Sequence, residues 1–213
     1  MFYWLFHWIV KITGFIPQLF LINPKVYYED KAVQSRKIKG KAIVMPNHHT
    51  VLDVAVLKFI FWGRTLRTLM AEVLFKKNFF MTLFLKCLGG IKVDRDSHDF
   101  SFIAKSKKIL DKGGVIEIYP ESRIAKPDEQ KPLPFKPSVV YLALESDAPI
   151  IPVYHNGNHF KKGKCEAIIG KPIFVKDYYD ETKPEKENLD YICNMLRDKI
   201  IDLSRQLEQK KKG

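Results

Sequence analysis

The sequence predicts an α/β fold: a single central sheet, mostly parallel or mixed, flanked by helices, with an N-terminal membrane-interfacial helical segment. Three observations carry this. Short β-rich runs alternate with helix-periodic runs, the pattern of one sheet covered by helices. The 213 residues suit one domain with a sizeable core. Residues 1–22 differ in composition from the rest of the chain, which sets them apart from residues 23–213.

That first segment reads MFYWLFHWIVKITGFIPQLFLI. It has no basic region ahead of the apolar run and no small-residue cleavage site, so it does not read as a secretory leader. As a spanning helix its pattern is poor, with Lys11 at the middle and Pro17 expected to break it. Tyr3, Trp4, Phe6 and Trp8 beside a cation suit a segment lying among lipid headgroups. A helix packed on the core is the other reading.

Lys41 to Met45 reads as a short buried strand. Leu52, Ala55, Val56, Phe59 and Ile60 recur at helical spacing, so a helix is expected over Val54 to Trp62, stopped by Gly63, with Asp53 in its first turn. Leu66 to Ala71 is a strand, Phe75 to Leu88 a helix closed by Gly89-Gly90, and Ile91 to Val93 a strand running into Asp94-Arg95-Asp96. Ser101 to Asp111 is amphipathic through Phe102, Ile103, Ile109 and Leu110, and Gly113-Gly114 ends it. Val115 to Tyr119 is a strand cut by Pro120. Residues 124–137 hold Pro127, Pro132, Pro134 and Pro137 and read as a loop. Ser138 to Leu144 is a helix; Pro149 to Tyr154 and Cys165 to Ile169 are strands. Leu189, Ile192, Leu196, Ile200, Leu203 and Leu207 mark a long C-terminal helix expected to dock on the body, ahead of a solvated Lys210-Lys211-Lys212.

The formal net charge is +12. It favours an anionic partner: a phospholipid surface, a nucleic acid or a phosphorylated substrate. The basic residues are dispersed and no nucleic-acid motif is present, so nucleic acid is set aside. Cys87, Cys165 and Cys193 lie far apart, form no metal-type pair and read as ordinary thiols of a reducing compartment.

The chemistry concentrates in Asn47-His48-His49-Thr50-Val51-Leu52-Asp53. An imidazole in a loop and a carboxylate five residues on, in the first turn of a helix, can fold together. The carboxylate then fixes the imidazole tautomer and leaves the other ring nitrogen as a base. This is two-thirds of a hydrolytic triad, and the absent nucleophile points to a substrate hydroxyl in its place. Spacing alone does not separate this from a helix-start carboxylate beside an unrelated loop histidine. None of the other five histidines has an Asp at that spacing, and His49 is expected to be an exposed neighbour. In α/β folds ligands gather where strands end. Two more strand ends here carry Asp94-Arg95 and Pro120-Glu121-Ser122-Arg123. Arg95 and Arg123 offer forked donors suited to phosphate, so a base beside an anion pocket is expected, acting on a hydroxyl of a phosphorylated small molecule.

Four ordered blocks give the chain a resemblance to the glycerolipid acyltransferases, in particular the 1-acyl-glycerol-3-phosphate (lysophosphatidate) acyltransferase family. NHHTVLD resembles the family's His-x4-Asp block and GGIKVDRD its second block, with Arg95. YPESRIA resembles the third, usually Phe-Pro-Glu-Gly-Thr-Arg, and APIIPV (Ala148 to Val153) the fourth. Two departures fall near the headgroup pocket. The third block has Ser122 alone between Glu121 and Arg123, one residue short of the common form. The Lys turn reads Phe135-Lys136-Pro137-Ser138, without glycine. The resemblance implies acyl transfer from an acyl thioester, acyl-CoA or acyl carrier protein, to the free hydroxyl of a lysophospholipid, giving phosphatidic acid from 1-acyl-glycerol-3-phosphate. It implies His48 as general base, Asp53 as its orienter, and Arg95, Glu121, Arg123 and Lys136 as the acceptor's binding residues. Another lysolipid acceptor, or a basic membrane-binding module without activity, are the alternatives. No cofactor and no metal are implied. The partners are the lysophospholipid, the thioester donor and an anionic membrane surface, with residues 23–213 as the acyltransferase domain held peripherally or monotopically at the cytoplasmic face.

Overall fold

Alternating burial along the strands shows how one sheet builds two cores. In the computed structural model, which describes residues 2–21, 23–94, 101–159 and 165–212, the odd-numbered Ile43, Met45 and the even-numbered Ile116, Ile118, Ile150 and Ile168 face one side. Their neighbours Ala42, Val44, Val115, Ile151, Val153, Ala167 and Ile169 face the other. This is the period-two geometry of a strand buried on both faces.

The strands are β1 (Lys25–Tyr28), β2 (Ala42–Pro46), β3 (Leu66–Ala71), β4 (Gly90–Val93), β5 (Val115–Glu117), β6 (Ile150–His155) and β7 (Glu166–Ile169), and the sheet order is β1-β7-β6-β2-β5-β3-β4. β6, β2, β5, β3 and β4 run parallel. β7 is antiparallel to β6 and carries β1 parallel to itself. The helices are α1 (Phe2–Leu21), α2 (Asp53–Ile60), α3 (Glu72–Phe75), α4 (Phe79–Cys87), α5 (Ser101–Asp111), α6 (Ser138–Ser146) and α7 (Glu185–Lys212). α5, α6 and α7 cover the first core, where Leu110, Val139, Leu142, Leu196, Ile200 and Leu203 are buried; α2 covers the second through Val56, Leu57 and Ile60. The C-terminal helix therefore docks along its apolar stripe, as its spacing predicts.

Several expectations are corrected. The helix expected over Phe75 to Leu88 begins only at Phe79, where the Asn78 side chain accepts from the Met81 N–H at 2.7 Å; Phe75 ends the separate short helix α3. β5 ends at Glu117 rather than Tyr119. The edge strand β1 and a 3-10 turn at Val175–Tyr178 carry no periodic signal long enough to read. α1 runs on through Pro17 to Leu21. Among the described residues, no helix is long and apolar enough to cross a membrane.

Lys11 is not a headgroup cation. It is buried, and its ammonium donates to the Trp62 and Arg64 carbonyls at 2.6 and 2.7 Å. It also lies over the Trp8 and Trp62 rings; burial lowers its pKa to about 8. Arg36 donates to the Ile60 and Phe59 carbonyls from the other side. Arg36 satisfies carbonyls at the C-terminal end of α2 and Lys11 those of the turn that follows, so the helix that begins with Asp53 is held at its far end. α1 still exposes Leu5, Ile9 and Ile12.

Candidate functional site

The carboxyl ends of β6, β2 and β5 lie side by side and carry His155, Asn47-His48 and the Ile118–Glu121 turn. Asn47 ties the first two together. Its side chain donates to the His155 carbonyl at 3.0 Å and accepts from the His155 N–H at 2.9 Å. The loop after Asn47 folds back over the first turn of α2, and Asp53 is the reason. Its Oδ2 accepts from the backbone N–H groups of His49 and Thr50 at 2.7 and 2.9 Å, and its Oδ1 from the Thr50 hydroxyl at 3.1 Å. A carboxylate at a helix start thus gathers the preceding turn around itself. His48 Nδ1 stands 2.8 Å from the same Oδ2. That contact places the proton on Nδ1 and leaves Nε2 with its lone pair.

Asp53 is fully buried. Burial alone pushes its pKa up, but donors from His159 and His48, with the nearby His155 and the Thr50 N–H, hold it well below the usual carboxylate range. It is an anion at any working pH.

Two further polar groups brace His48. Glu121, buried, accepts from the His48 N–H and the Leu133 N–H, both at 2.8 Å, joining the third block and the proline-rich loop to the first block. Burial raises its pKa against those donors. Tyr119 lays its ring on the His48 imidazole with centroids 4.4 Å apart. Its hydroxyl donates to Glu117 at 2.7 Å, and Thr68 donates to the same carboxylate at 2.5 Å. Lys58 reaches Thr68 Oγ1 at 3.1 Å and the Leu66 carbonyl at 2.7 Å. Burial raises the pKa of Glu117 and lowers that of Lys58 to about 8. The chain Lys58–Thr68–Glu117–Tyr119 is a polar underlay for the ring of His48.

Four of the six histidines surround Asp53. His159 Nε2 stands 2.5 Å from Oδ1, on the side opposite His48. His155, fully buried, lies 3.8 Å from Oδ2, and burial lowers its pKa to about 3. Its Nε2 is 3.1 Å from the Asn47 carbonyl, a contact that needs a proton on that nitrogen. His49 is half-buried rather than exposed. It packs edge-on to His155 and against Gly157, where a β-carbon would stand 2.9 Å from the ring. Gly157 has φ +73°, so its lack of a side chain serves both the bend and the ring. Asp53, His155 and His159 have donor atoms close enough to share a cation. The proton that His155 gives to Asn47, and the direct pairing of His159 with Asp53, fit a hydrogen-bonded cluster better than a metal centre.

Of the residues singled out from the sequence, His48, Asp53 and Glu121 come together. Arg123 is exposed and forms a two-point pair with Glu129, at 2.6 and 2.7 Å. It follows Ser122, which takes a left-handed φ of +63°. Lys136 is exposed, with its N–H on the Pro120 carbonyl at 2.9 Å. Arg95 lies outside the described residues. A cleft of about 130 Å³ opens beside the pair, lined by His48, His49, Glu121, Lys131, Tyr154 and Ser204 among others. Lys131 is a further cation at this cleft, one that no sequence pattern singles out. A larger open cleft of about 540 Å³ lies at the 3-10 turn and the start of α7, and shares no residue with the site. Sequence reasoning also misses His159 and the strand-tying role of Asn47; the strand-end rule applied to β6 points to His155.

Three comparisons bear on this arrangement. A family model described as Acyltransferase matches residues 24–156. A 1-acyl-sn-glycerol-3-phosphate acyltransferase of Bacillus subtilis (strain 168) is 30% identical over 138 residues, covering 62% of this chain and 66% of the relative, just under two thirds of its length. A solved structure of a 1-acyl-sn-glycerophosphate acyltransferase from Thermotoga maritima aligns with TM-score 0.57 over 89% of this chain and 73% of that one, at 18% identity, a likeness of fold.

Proposed function

The chain belongs to the acyltransferase family, and on that premise we propose that it moves an acyl chain from a thioester, acyl-CoA or acyl carrier protein, to the free hydroxyl of 1-acyl-glycerol-3-phosphate, forming phosphatidic acid. The observation that carries this reading is the 2.8 Å contact between His48 Nδ1 and Asp53 Oδ2 at the end of β2, inside the family-matched region. The Bacillus subtilis relative supports the choice of acceptor by its name.

In this mechanism the acceptor hydroxyl sits against His48 Nε2 and gives up its proton as its oxygen attacks the thioester carbonyl. Asp53 stabilises the imidazolium that forms. The tetrahedral intermediate collapses, the C–S bond breaks, and the imidazolium proton goes to the departing thiolate. No acyl-enzyme is needed, because the substrate supplies the nucleophile. Glu121 acts by holding the His48 backbone. His159 acts as a positioning residue, holding the far oxygen of Asp53 so that the near one faces His48. Lys131 at the cleft supplies positive charge for the glycerol phosphate; Arg123 joins it by exchanging its Glu129 partner for the phosphate, and Arg95 and Lys136 are the further cations that the sequence blocks assign to this role. The cleft of about 130 Å³ is smaller than the roughly 300–1,000 Å³ that encloses a drug-sized ligand. It suits a headgroup, and the acyl chains lie outside it.

Purified protein offered lysophosphatidate, a panel of other lysolipids and both donor types tests the proposal. Acylation of lysophosphatidate above the other acceptors, absent in His48→Ala, is the expected result. Equal turnover in folded His48→Ala would overturn it.

A further inference from the structure

α3 and α4 present the most exposed aromatic side chains among the described residues. Phe79 and Phe80, at the first two positions of α4, are 74% and 80% exposed, with their rings edge to face at 5.8 Å. Met81, Phe84 and Val73 are exposed with them. Only Leu85 and Cys87 of α4 are buried. Water-facing phenylalanines at this density are costly unless something covers them. We propose that the α3–α4 face is a membrane-docking surface, separate from the N-terminal helix, which seats the domain on an anionic bilayer. This rests on the lysolipid reading above, because an acceptor that lives in a bilayer requires the site to reach one.

Charge selects the bilayer over a second copy of the chain. Lys76, Lys77 and Lys86 are exposed around the phenylalanines. The one acidic residue within α3 and α4, Glu72, is already engaged by Lys92 and Lys76 at 2.6 and 3.2 Å. Two copies meeting here would bring these lysines together, on chains that each carry +12. An anionic headgroup layer pairs with the lysines while the rings enter the acyl boundary. α1 packs against α4 and exposes Leu5, Ile9 and Ile12 of its own, so a second apolar surface adjoins this one. The small cleft at His48 is consistent with such docking: with room for a headgroup only, the acceptor's chain stays in the lipid while its hydroxyl is acylated.

The test uses the full chain and a Phe79→Ser/Phe80→Ser double variant, with vesicles of phosphatidylcholine containing phosphatidylglycerol. Both side chains are outside the core, so the melting temperature should match wild type. Vesicle affinity should fall about tenfold or more, a loss of about 1.4 kcal/mol. The apparent KM for vesicle-borne lysophosphatidate should rise, while turnover of a short-chain, freely dissolved acceptor stays unchanged. A single Phe80→Trp variant gives a second readout: its emission should shift to the blue on vesicles and be quenched by brominated lipid. Equal flotation of wild type and the double variant overturns the surface, as does an emission that stays unshifted in Phe80→Trp. A wild-type dimer that the substitutions dissociate, with flotation unchanged, also overturns it in favour of self-association. If wild type acylates no lysolipid yet loses vesicle binding in the double variant, the surface stands and the proposed reaction fails.

Discussion

Asp53→Asn separates the charge of this residue from its shape. Five donors converge on the carboxylate: His48 Nδ1, the His49 and Thr50 N–H groups, the Thr50 hydroxyl and His159 Nε2. The three on Oδ2 cannot reverse without losing the tautomer or the turn. The two on Oδ1 can, since a hydroxyl and an imidazole both accept as well as donate. The amide will therefore keep its oxygen on the His48 side and turn its NH₂ towards Thr50 and His159. Three charge-assisted bonds become neutral ones, a loss of about 1 kcal/mol each, and relief of the buried charge returns part of that; the net cost is about 2 kcal/mol. For a chain of this size that lowers Tm by roughly 4–8 °C. Turnover should fall by about 10²–10⁴-fold, because nothing offsets the charge of the imidazolium. Asp53→Ala is different in kind: it leaves buried donors unpaired at about 1–3 kcal/mol each and should not fold stably. Thermal melts and initial rates on all three proteins decide the matter. An Asn variant with wild-type turnover, or one as unstable as the Ala variant, would refute the reasoning.

His48→Ala should stay folded and lose at least about 10²-fold in kcat, whereas His49→Ala should cost Tm more than rate, because its ring fills the bend at Gly157. His159→Leu should lower kcat about tenfold with KM little changed and move the acid limb of the rate profile to higher pH, since Asp53 loses a donor and becomes more basic; His159→Gln, which restores an N–H donor, should recover both. Chelators should leave the wild-type rate unchanged, and a chelator-sensitive rate would favour a cation at Asp53, His155 and His159 instead. Arg95→Ala and Arg123→Ala should raise KM for the acceptor about tenfold and leave KM for the donor unchanged, and equal effects on both would count against an anion pocket. His155 titrates at about 3 in the fold against about 6.5 in the unfolded chain, so its contribution is fully present above pH ~6.5. That contribution is lost as pH falls towards 3, at about 1.4 kcal/mol per unit; Tm measured against pH should show this slope, and His155→Gln should flatten it.

The parts of the fold that can be read in the sequence are those set by local pattern. Leu66–Ala71 and Ser101–Asp111 match the sequence reading residue for residue, because alternation and a glycine stop act within a few neighbours. β1 is not legible: four residues at an edge are held by pairing with β7, more than a hundred residues away. The break between α3 and α4 is visible in principle, since Asn78 is a cap residue, but the apolar run around it masks the signal. Lys11 misleads for a related reason. A cation among aromatics suits a headgroup layer or the carbonyl end of a helix, and only the tertiary contact with Trp62 and Arg64 decides between them.

The same division holds at the site. His48 and Asp53 are five residues apart, so their meeting is a local event that spacing foretells. What keeps Asp53 charged in a dry interior is not local. His159 stands 106 positions further along the chain than Asp53, and Asn47 and His155 are linked across 108. Parallel pairing of β2 with β6, in the register Pro46 to Val153, brings those positions to one edge of the sheet. A buried anion is tolerated only when donors surround it, and on this chain those donors come from loops that leave adjacent strands. The base and its orienter can therefore be read from seven residues, while the electrostatics that let them work depend on the whole sheet. Substitutions in the β6–β7 loop, far from His48 in sequence, should alter the rate without altering which groups react.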